Sequence, residues 1–383
     1  MSGIDHIFLY VILYGLFFVY DKYIQSGNTR TNIIKIYCIV AFVFVEGLRY
    51  GRGRDFFHYG DYYLNCIKNQ DSHPTFQLFQ EFVYFIDFTR DILPYGAIFI
   101  AISIIFIICF FKFGEIYHKS TVGFNIMGVL ATQYIFEWTI RQGLSFALLL
   151  VSFFYICNSS KFKFLFFLLL GLSIHFGNIV FVLGIIGSYF MLNKRPIPLV
   201  ISLPALLIGT FVADAVQFMP FIQNLVSSLD IEFLGDNYAH YVEESEKWFS
   251  SGSMMDNLRR GTLTTIITTV FYASTILIGY YNHRIFPKWT FVYNAFVVFL
   301  LLYVPFYLNE IIARILFPTT VLWFIPVSLA LYNIPFKQAP YVLKYSYLAL
   351  GAYLFAYYGR FVFLNPIGTY VWNPLPIMDY LNK

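Results

Sequence analysis

Apolar runs long enough to cross a membrane recur through this 383-residue chain, from residue 4 almost to residue 361. A helix needs roughly 20 apolar residues to cross about 30 Å of hydrocarbon, and many of these runs approach that length. Composition agrees, because 12% of the residues are charged, whereas roughly 25% is usual in soluble domains. The pattern therefore predicts an all-α polytopic membrane protein and excludes a soluble globule.

The runs predict about twelve transmembrane helices, forming one transmembrane domain over residues 1–383. The first run, from about Ile4 to Tyr20, has no basic start and no small-residue cleavage site. It is expected to be a retained helix rather than a signal peptide. The predicted spans are residues 4–20, 33–48, 92–111, 122–138, 141–157, 163–175, 177–192, 197–218, 263–281, 289–308, 311–332 and 343–361.

The stretch from Phe162 to Leu192 is either one long tilted helix or two short helices that meet at the sequence SIHFGN, which contains His175. With two short helices, Lys194 and Arg195 share a face of the membrane with the other basic loops. With one unbroken helix they would lie on the opposite face. The concentration of positive charge on one face favours two short helices that meet near His175.

With this break, the charges of the two faces differ strongly. One face carries ten lysines and a net charge of +11, and the other carries nine of the twelve arginines and a net charge of −7. The positive-inside rule makes the lysine-rich face cytoplasmic, so both termini are expected to face outward. That rule does not explain why most arginines lie on the outward face.

Arginine binds phosphate or carboxylate through paired hydrogen bonds from a planar group that is always charged, whereas lysine is a mobile point charge. Five outward arginines lie at or just beyond the ends of separate predicted spans, where they could converge on one polyanionic group. The alternative is that each pairs with a nearby acid, as Glu137 and Arg141 could at i, i+4 spacing. The five are Arg49, Arg52, Arg54, Arg141 and Arg314.

Two longer outward segments are predicted between the spans, at residues 49–91 and 219–262. In the first, Phe76, Phe79, Val83 and Ile86 recur at helical spacing. They indicate an amphipathic helix over about residues 75–90, lying at the membrane interface. The second segment is rich in acidic residues and could cap or gate a site.

Three residues are candidates for a general base on the outward face, namely His175, Asp55 and Glu310, in that order. A histidine at the outer end of an apolar span is either a general base or phosphate ligand, or a packed interface residue, and the functional interpretation is preferred. Three of the four cysteines lie in predicted spans, so neither a disulfide nor a cysteine metal site is expected. No metal ligands and no cofactor are predicted.

The order of several motifs resembles the EpsG-like branch of the Wzy-type bacterial polysaccharide polymerases. GLRYGRGRDFFHY is similar to the family's RxGxGxDYxxY stretch, and HPTFQLFQEF to its EPxFxxL segment. IRQGLSFALLL resembles its arginine-led span, LSIHFGNIV its IHxSAL span, and NEIIARILFP its late arginine motif. The chain departs from the family pattern at Phe56, His73 and Gly177.

The resemblance implies a GT-C-like fold and polymerisation of lipid-linked oligosaccharide repeat units, as in O-antigen or exopolysaccharide biosynthesis. Donor and acceptor would both be undecaprenyl pyrophosphate glycans, used at the outer face of the bacterial cytoplasmic membrane. The five arginines, with His58 and Gln142, are the predicted pyrophosphate- and glycan-binding residues. The expected partners are these glycans, the bilayer and a separate chain-length regulator, with no nucleic acid.

Other activities remain open. An O-antigen ligase would use a lipid A core acceptor, and a related membrane glycosyltransferase would use a lipid-phosphate sugar. A lipid-linked oligosaccharide flippase is the alternative from another class. A flippase needs charged groups deep in an aqueous path, whereas the charged motifs of this chain cluster at one face, which favours the polymerase.

Overall fold

A computed structural model describes residues 2–27, 29–50, 97–117, 121–191, 195–212, 262–283, 290–307, 310–364 and 369–370. The two predicted outward segments, with the amphipathic helix at about 75–90, lie outside these residues except at their margins. The described α-helices are α1 (Ser2–Ser26), α2 (Thr31–Phe42), α3 (Ala97–Gly114), α4 (Phe124–Trp138), α5 (Ile140–Cys157), α6 (Lys161–Ile174), α7 (Ile179–Met191), α8 (Leu199–Val212), α9 (Thr262–His283), α10 (Thr290–Phe306), α11 (Glu310–Thr320), α12 (Phe324–Asn333) and α13 (Tyr341–Leu364).

The prediction of a helical membrane protein is confirmed. Each of the twelve predicted runs contains helix, and four described helical stretches are long and apolar enough to cross a membrane. These are Ile7–Ser26, Ile140–Cys157, Leu263–Asn282 and Arg314–Asn333, and four shorter apolar helices accompany them. The number of crossings and the single transmembrane domain stay predictions.

The helix break at His175 is confirmed. Helix α6 ends at Ile174, and His175 takes an extended conformation with φ −151° and ψ 96°. A 3₁₀ turn, Phe176–Asn178, leads into α7 at Ile179. One stretch of the first unit described below ends at Phe176, so His175 lies at a boundary of that unit.

The run predicted as one span over 311–332 contains a 3₁₀ turn that was not predicted. The 3₁₀ turn Val321–Trp323 separates α11 from α12. Pro326 supplies the physical reason, because it has no N–H to donate to the carbonyl four residues earlier and is tolerated best in the first turn of a helix. Pro326 lies in the first turn of α12.

The described residues form two compact units. The first contains α1 to α6, the end of α13 and a two-residue antiparallel pair of strands, β1 (Arg49–Tyr50) and β2 (Thr369–Tyr370). Helix α5 lies in its core and is buried almost continuously from Ile140 to Ser152. Helices α3, α4 and α6 pack around it, so α5 fixes the positions of the side chains at its ends.

Charge separates the two ends of this first unit. The Asp21 carboxylate, near the end of α1, accepts the N–H groups of Asn125 at 3.2 Å and Ile126 at 3.1 Å. Helix α4 therefore begins beside the end of α1 and runs antiparallel to it. At this end Lys35 lies 5.2 Å from the ring centroid of Phe111, and Lys112 pairs with Glu115. Helix α5 begins at the opposite end.

The second unit contains α7 to α12 and α13 as far as Tyr353. Helix α10 lies in its core, packed against α7, α8 and α11. Within this helix Asn294 holds the chain that leads into α8, since its side chain accepts the N–H of Ile197 at 2.8 Å and donates to the carbonyl of Arg195 at 2.8 Å. Exposed apolar side chains on the outside of α8, such as Val200 and Phe211, are typical of a lipid-facing surface.

Candidate active site

The beginning of α5 and the end of α6 lie side by side in the first unit. The Ser145 hydroxyl donates to the carbonyl of Gly171 at 2.7 Å and lies 3.5 Å from the carbonyl of His175. The backbone N–H of His175 donates to the same Gly171 carbonyl at 3.3 Å. His175 is half-buried where it leaves α6, so its position is fixed by α5 as well as by its own helix.

Two of the predicted substrate-binding residues lie in the first turn of α5. Arg141 is four residues before Ser145, so the two share a face of the helix, one turn apart. Arg141 is half-buried and Gln142 is buried. The structure therefore brings Arg141, Gln142 and His175 to the same end of one helix pair, although they are more than thirty positions apart at the extremes.

Two glycines allow α5 to approach its neighbours this closely. A Cβ atom on Gly143 would lie 3.0 Å from the Cα of Phe136 in α4. A Cβ atom on Gly171 would lie 2.9 Å from Cγ of Leu149 and 3.2 Å from the carbonyl oxygen of Ser145. Close helix packing through small residues is a common device in membranes. The two glycines thus hold the arginine-bearing turn of α5 between α4 and α6.

A buried polar cluster at the same end of the unit was missed by the sequence analysis. Glu46 is fully buried in a π-helical turn, Val43–Gly47, that continues α2. Its carboxylate accepts the Nε2–H of Gln133 at 2.9 Å and the hydroxyl of Tyr10 at 3.2 Å. The hydroxyl of Tyr14 donates to the side-chain carbonyl of Gln133.

The sequence did contain a signal for this cluster. Glu46 and Gln133 each interrupt an otherwise apolar run, and ionisable residues inside membrane spans are costly and commonly functional. Glu46 lies three positions before Arg49. We therefore interpret it as a positioning residue, which anchors the end of α2 from which the arginine-rich stretch at 49–54 leaves.

Replacing Glu46 with leucine should lower the stability of the protein, because Gln133 and Tyr10 would each lose an acceptor in a buried setting. Leaving a buried polar group unsatisfied costs about 1–3 kcal/mol. Glu46→Gln keeps an acceptor oxygen and should cost less. Thermal unfolding in detergent measures both, with Glu115→Leu as the matched control, since an exposed ion pair is worth about 0.2–1 kcal/mol. Equal melting temperatures for Glu46→Leu and Glu115→Leu would contradict the role of Glu46.

The other predicted site residues lie in α11, in β1 or outside the described residues. Arg314 is half-buried in the second turn of α11, which belongs to the second unit. Glu310 is the first residue of the same helix, and its side chain is not among those that the structure describes. Arg49 lies in β1, where it pairs with Tyr370 in register. Four more lie outside the described residues, namely Arg52, Arg54, Asp55 and His58.

The side chain of Glu137 lies outside the described ones, and its pairing with Arg141 stays an alternative. Within the described ranges, no three His, Cys, Asp or Glu side chains come together as a metal site requires. Metal-independent chemistry stays a prediction.

The fold and these helix ends define a class of protein, a multi-pass helical membrane protein with arginine and histidine gathered where the beginning of α5 meets the end of α6. The comparison with protein families is more specific. Residues 32–372 match the model of the EpsG family, and the chain belongs to this family. Membership indicates a function of the polysaccharide-polymerase type. Searches of curated proteins and of solved structures returned no significant match.

Proposed function

We propose that this protein joins undecaprenyl-pyrophosphate-linked oligosaccharide repeat units by glycosyl transfer at the outer face of the bacterial cytoplasmic membrane. The observation that carries the proposal is the juxtaposition of Arg141, Gln142 and His175 where α5 begins and α6 ends. Membership of the EpsG family supports the polymerase class. The proposal includes the identity of the substrate lipid, the outer face of the membrane and the roles of the residues.

The reaction makes one glycosidic bond and breaks one glycosyl phosphate bond. A hydroxyl of the acceptor sugar attacks the anomeric carbon of the donor and gives up its proton to a base. The bond from that carbon to the pyrophosphate oxygen breaks, and the lipid pyrophosphate leaves with the electron pair. The site must therefore stabilise negative charge on a leaving oxygen and accept one proton.

The first turn of α5 suits the leaving group. A guanidinium can bind two phosphate oxygens at once, and a preplaced positive group needs no reorganisation as charge develops. Arg141 also lies at the positive end of the α5 dipole, which favours an anion. Gln142 adds side-chain donors next to Arg141. Arg49, Arg52, Arg54 and Arg314 are proposed to contribute further phosphate contacts, and His58 a glycan contact.

His175 is proposed as the general base. A base must lie within hydrogen-bond reach of the proton that it takes, directly or through one water. The backbone of His175 is held beside Ser145, one helical turn from Arg141, so a sugar bound at the pyrophosphate is proposed to lie near the imidazole. Asp55 and Glu310 are the alternatives, in that order.

The separation of charge within the first unit supports the outward orientation. Lys22, Lys35, Lys112 and Lys163 lie at the end opposite Arg141. A lysine-rich end is typical of the cytoplasmic face. Both termini are accordingly proposed to face outward, with the active site on the outer face of a GT-C-like fold.

The experiment that tests the proposal mixes the purified protein with a lipid-pyrophosphate-linked repeat unit from its own organism and resolves the products by size. We expect a ladder in steps of one repeat, and the ladder should persist in a chelator because arginine replaces a metal in this account. A product formed only with lipid A core as acceptor would indicate a ligase. Transport across vesicles without elongation would indicate a flippase, and either result would overturn the polymerase.

A further inference from the structure

We infer that the short strand β2 is a positioning element that holds Arg49 at the pyrophosphate site, an inference that rests on the proposed function. Strands β1 and β2 are antiparallel, and Arg49 lies opposite Tyr370. Tyr50 lies opposite Thr369. The two strands are far apart in the sequence, so only the tertiary fold brings them together. The pairing ties the chain that follows α13 to the first two residues of the arginine-rich stretch at 49–54.

The chain enters β1 from an anchored turn. The Glu46 carboxylate accepts the Nε2–H of Gln133 in α4 at 2.9 Å. Gly47 packs against α3, where a Cβ atom on this glycine would lie 2.9 Å from the Cα of Ile100. Helix α5 begins directly after α4, with Arg141 in its first turn. Glu46 therefore starts β1 toward the end of the first unit at which Arg141 lies.

Pairing with β2 anchors Arg49 a second time. An unpaired extended segment can adopt many conformations, whereas a paired strand is held in one. Binding groups carried on strands are placed more precisely than those carried on loops. A preplaced guanidinium also gives up less conformational entropy when phosphate binds. Strand β2 should therefore strengthen the phosphate contact proposed for Arg49 without touching the substrate.

Two observations favour a role in the site over a role in stability alone. A two-stranded ribbon is at best marginally stable by itself, and each of these strands is two residues long, so the pair adds little to the stability of a helical protein. The match to the EpsG family extends to residue 372 and includes β2, although α13 ends at Leu364. The role of β2 therefore follows from where it pairs, at the start of the arginine-rich stretch.

Disulfide cross-linking tests the strand pairing without any substrate. Directly opposite residues of an antiparallel pair have Cα atoms about 4.5–5.5 Å apart, which suits a disulfide. In a protein whose four native cysteines are replaced by alanine, Tyr50→Cys combined with Thr369→Cys should form a disulfide on oxidation. The matched control combines Tyr50→Cys with Asn158→Cys, since Asn158 follows α5 at the opposite end of the unit, and it should form none. No cross-link between positions 50 and 369 would overturn the inference.

Binding of undecaprenyl pyrophosphate tests whether β2 acts through Arg49. This lipid is the proposed leaving group, and its binding to the full-length protein in detergent requires no polymerisation. Arg49→Gln should weaken binding about ten-fold, because a hydrogen bond to a charged group is worth at least that factor. Thr369→Pro with Tyr370→Pro removes the N–H groups of β2 and should weaken binding by a similar factor. Adding Arg49→Gln to this proline variant should change the affinity by less than about two-fold, since changes that remove one interaction are not additive.

The matched control for the proline variant is Lys161→Pro. Lys161 is the exposed first residue of α6, a position at which proline is tolerated, so this variant should keep the wild-type affinity. In the elongation assay the proline variant should raise the KM for the donor more than it lowers kcat. A loss of folded protein alone would lower the maximal rate and leave KM unchanged.

The outcomes separate the two proposals. A cross-link between positions 50 and 369 with coupled losses of lipid binding, in a protein that forms no ladder, would leave the role of β2 standing and overturn the polymerase. A ladder from a protein whose proline variant binds the lipid as tightly as Lys161→Pro would overturn the role of β2 alone. The same conclusion would follow if the effects of Arg49→Gln and the proline variant added in full.

Discussion

Arg141→Lys should lower the rate of polymer formation by about 100-fold in a protein that still folds, because removing one preplaced donor from a developing oxyanion costs roughly 10²–10³ in rate. Lysine keeps the positive charge but loses the planar pair of donors that spans two phosphate oxygens. The Arg141→Lys change therefore tests whether the paired donors of arginine are needed in addition to its positive charge. Initial rates of ladder formation, normalised to the amount of folded protein in the membrane, measure the effect.

The matched control for Arg141→Lys is Arg30→Lys. Arg30 is an exposed residue just before α2, at the end of the first unit opposite Arg141, and the same replacement there should leave the rate within two-fold. Arg314→Lys applies the same test to a predicted phosphate-binding arginine of the second unit. If Arg141→Lys and Arg314→Lys each kept the wild-type rate, the arginines would have no role in the mechanism.

His175→Gln should reduce the rate by about 10²–10⁴-fold, the range that general base catalysis contributes. Glutamine retains hydrogen-bonding capacity and similar bulk, so the packing beside Ser145 should survive. A base must be neutral to accept the proton, and histidines take up a proton as the pH falls. The wild-type rate should therefore fall at acidic pH, and the residual activity of the variant should lack that fall.

The pH profile distinguishes a base from a residue that only packs. His283→Gln, at the last position of α9, is the matched control and should keep the wild-type rate and profile. If His175→Gln retained the acidic fall at a reduced rate, His175 would be a positioning residue. The base would then be sought at Asp55 and next at Glu310, by alanine replacement with the membrane abundance measured alongside.

The helices were predictable because each apolar run satisfies its own backbone hydrogen bonds and needs no partner to be recognised. The break at His175 was predictable from charge, since an unbroken helix would have moved Lys194 and Arg195 to the other face. The 3₁₀ turn before Pro326 carried a local signal, but the run around it is apolar and gave no other sign of the turn. The lengths of the apolar runs therefore located the helices better than they located the ends of the helices.

The site was only partly predictable, because it depends on contacts between distant parts of the chain. Arg141 and His175 were singled out by their positions at span ends, but nothing in the sequence showed that Ser145 would hold the two helix ends together. The Glu46 cluster joins residues 36 to 123 positions apart, and a single sequence gives no register for such contacts.

Counting the lipid pyrophosphate released during elongation tests the central claim most directly. The account predicts one lipid pyrophosphate released for each repeat unit added, from the first link onward and in the presence of chelator, with release and elongation slowed together by Arg141→Lys. Elongation without stoichiometric release, or movement of the lipid-linked glycan with neither release nor a new glycosidic bond, would contradict glycosyl transfer at this site.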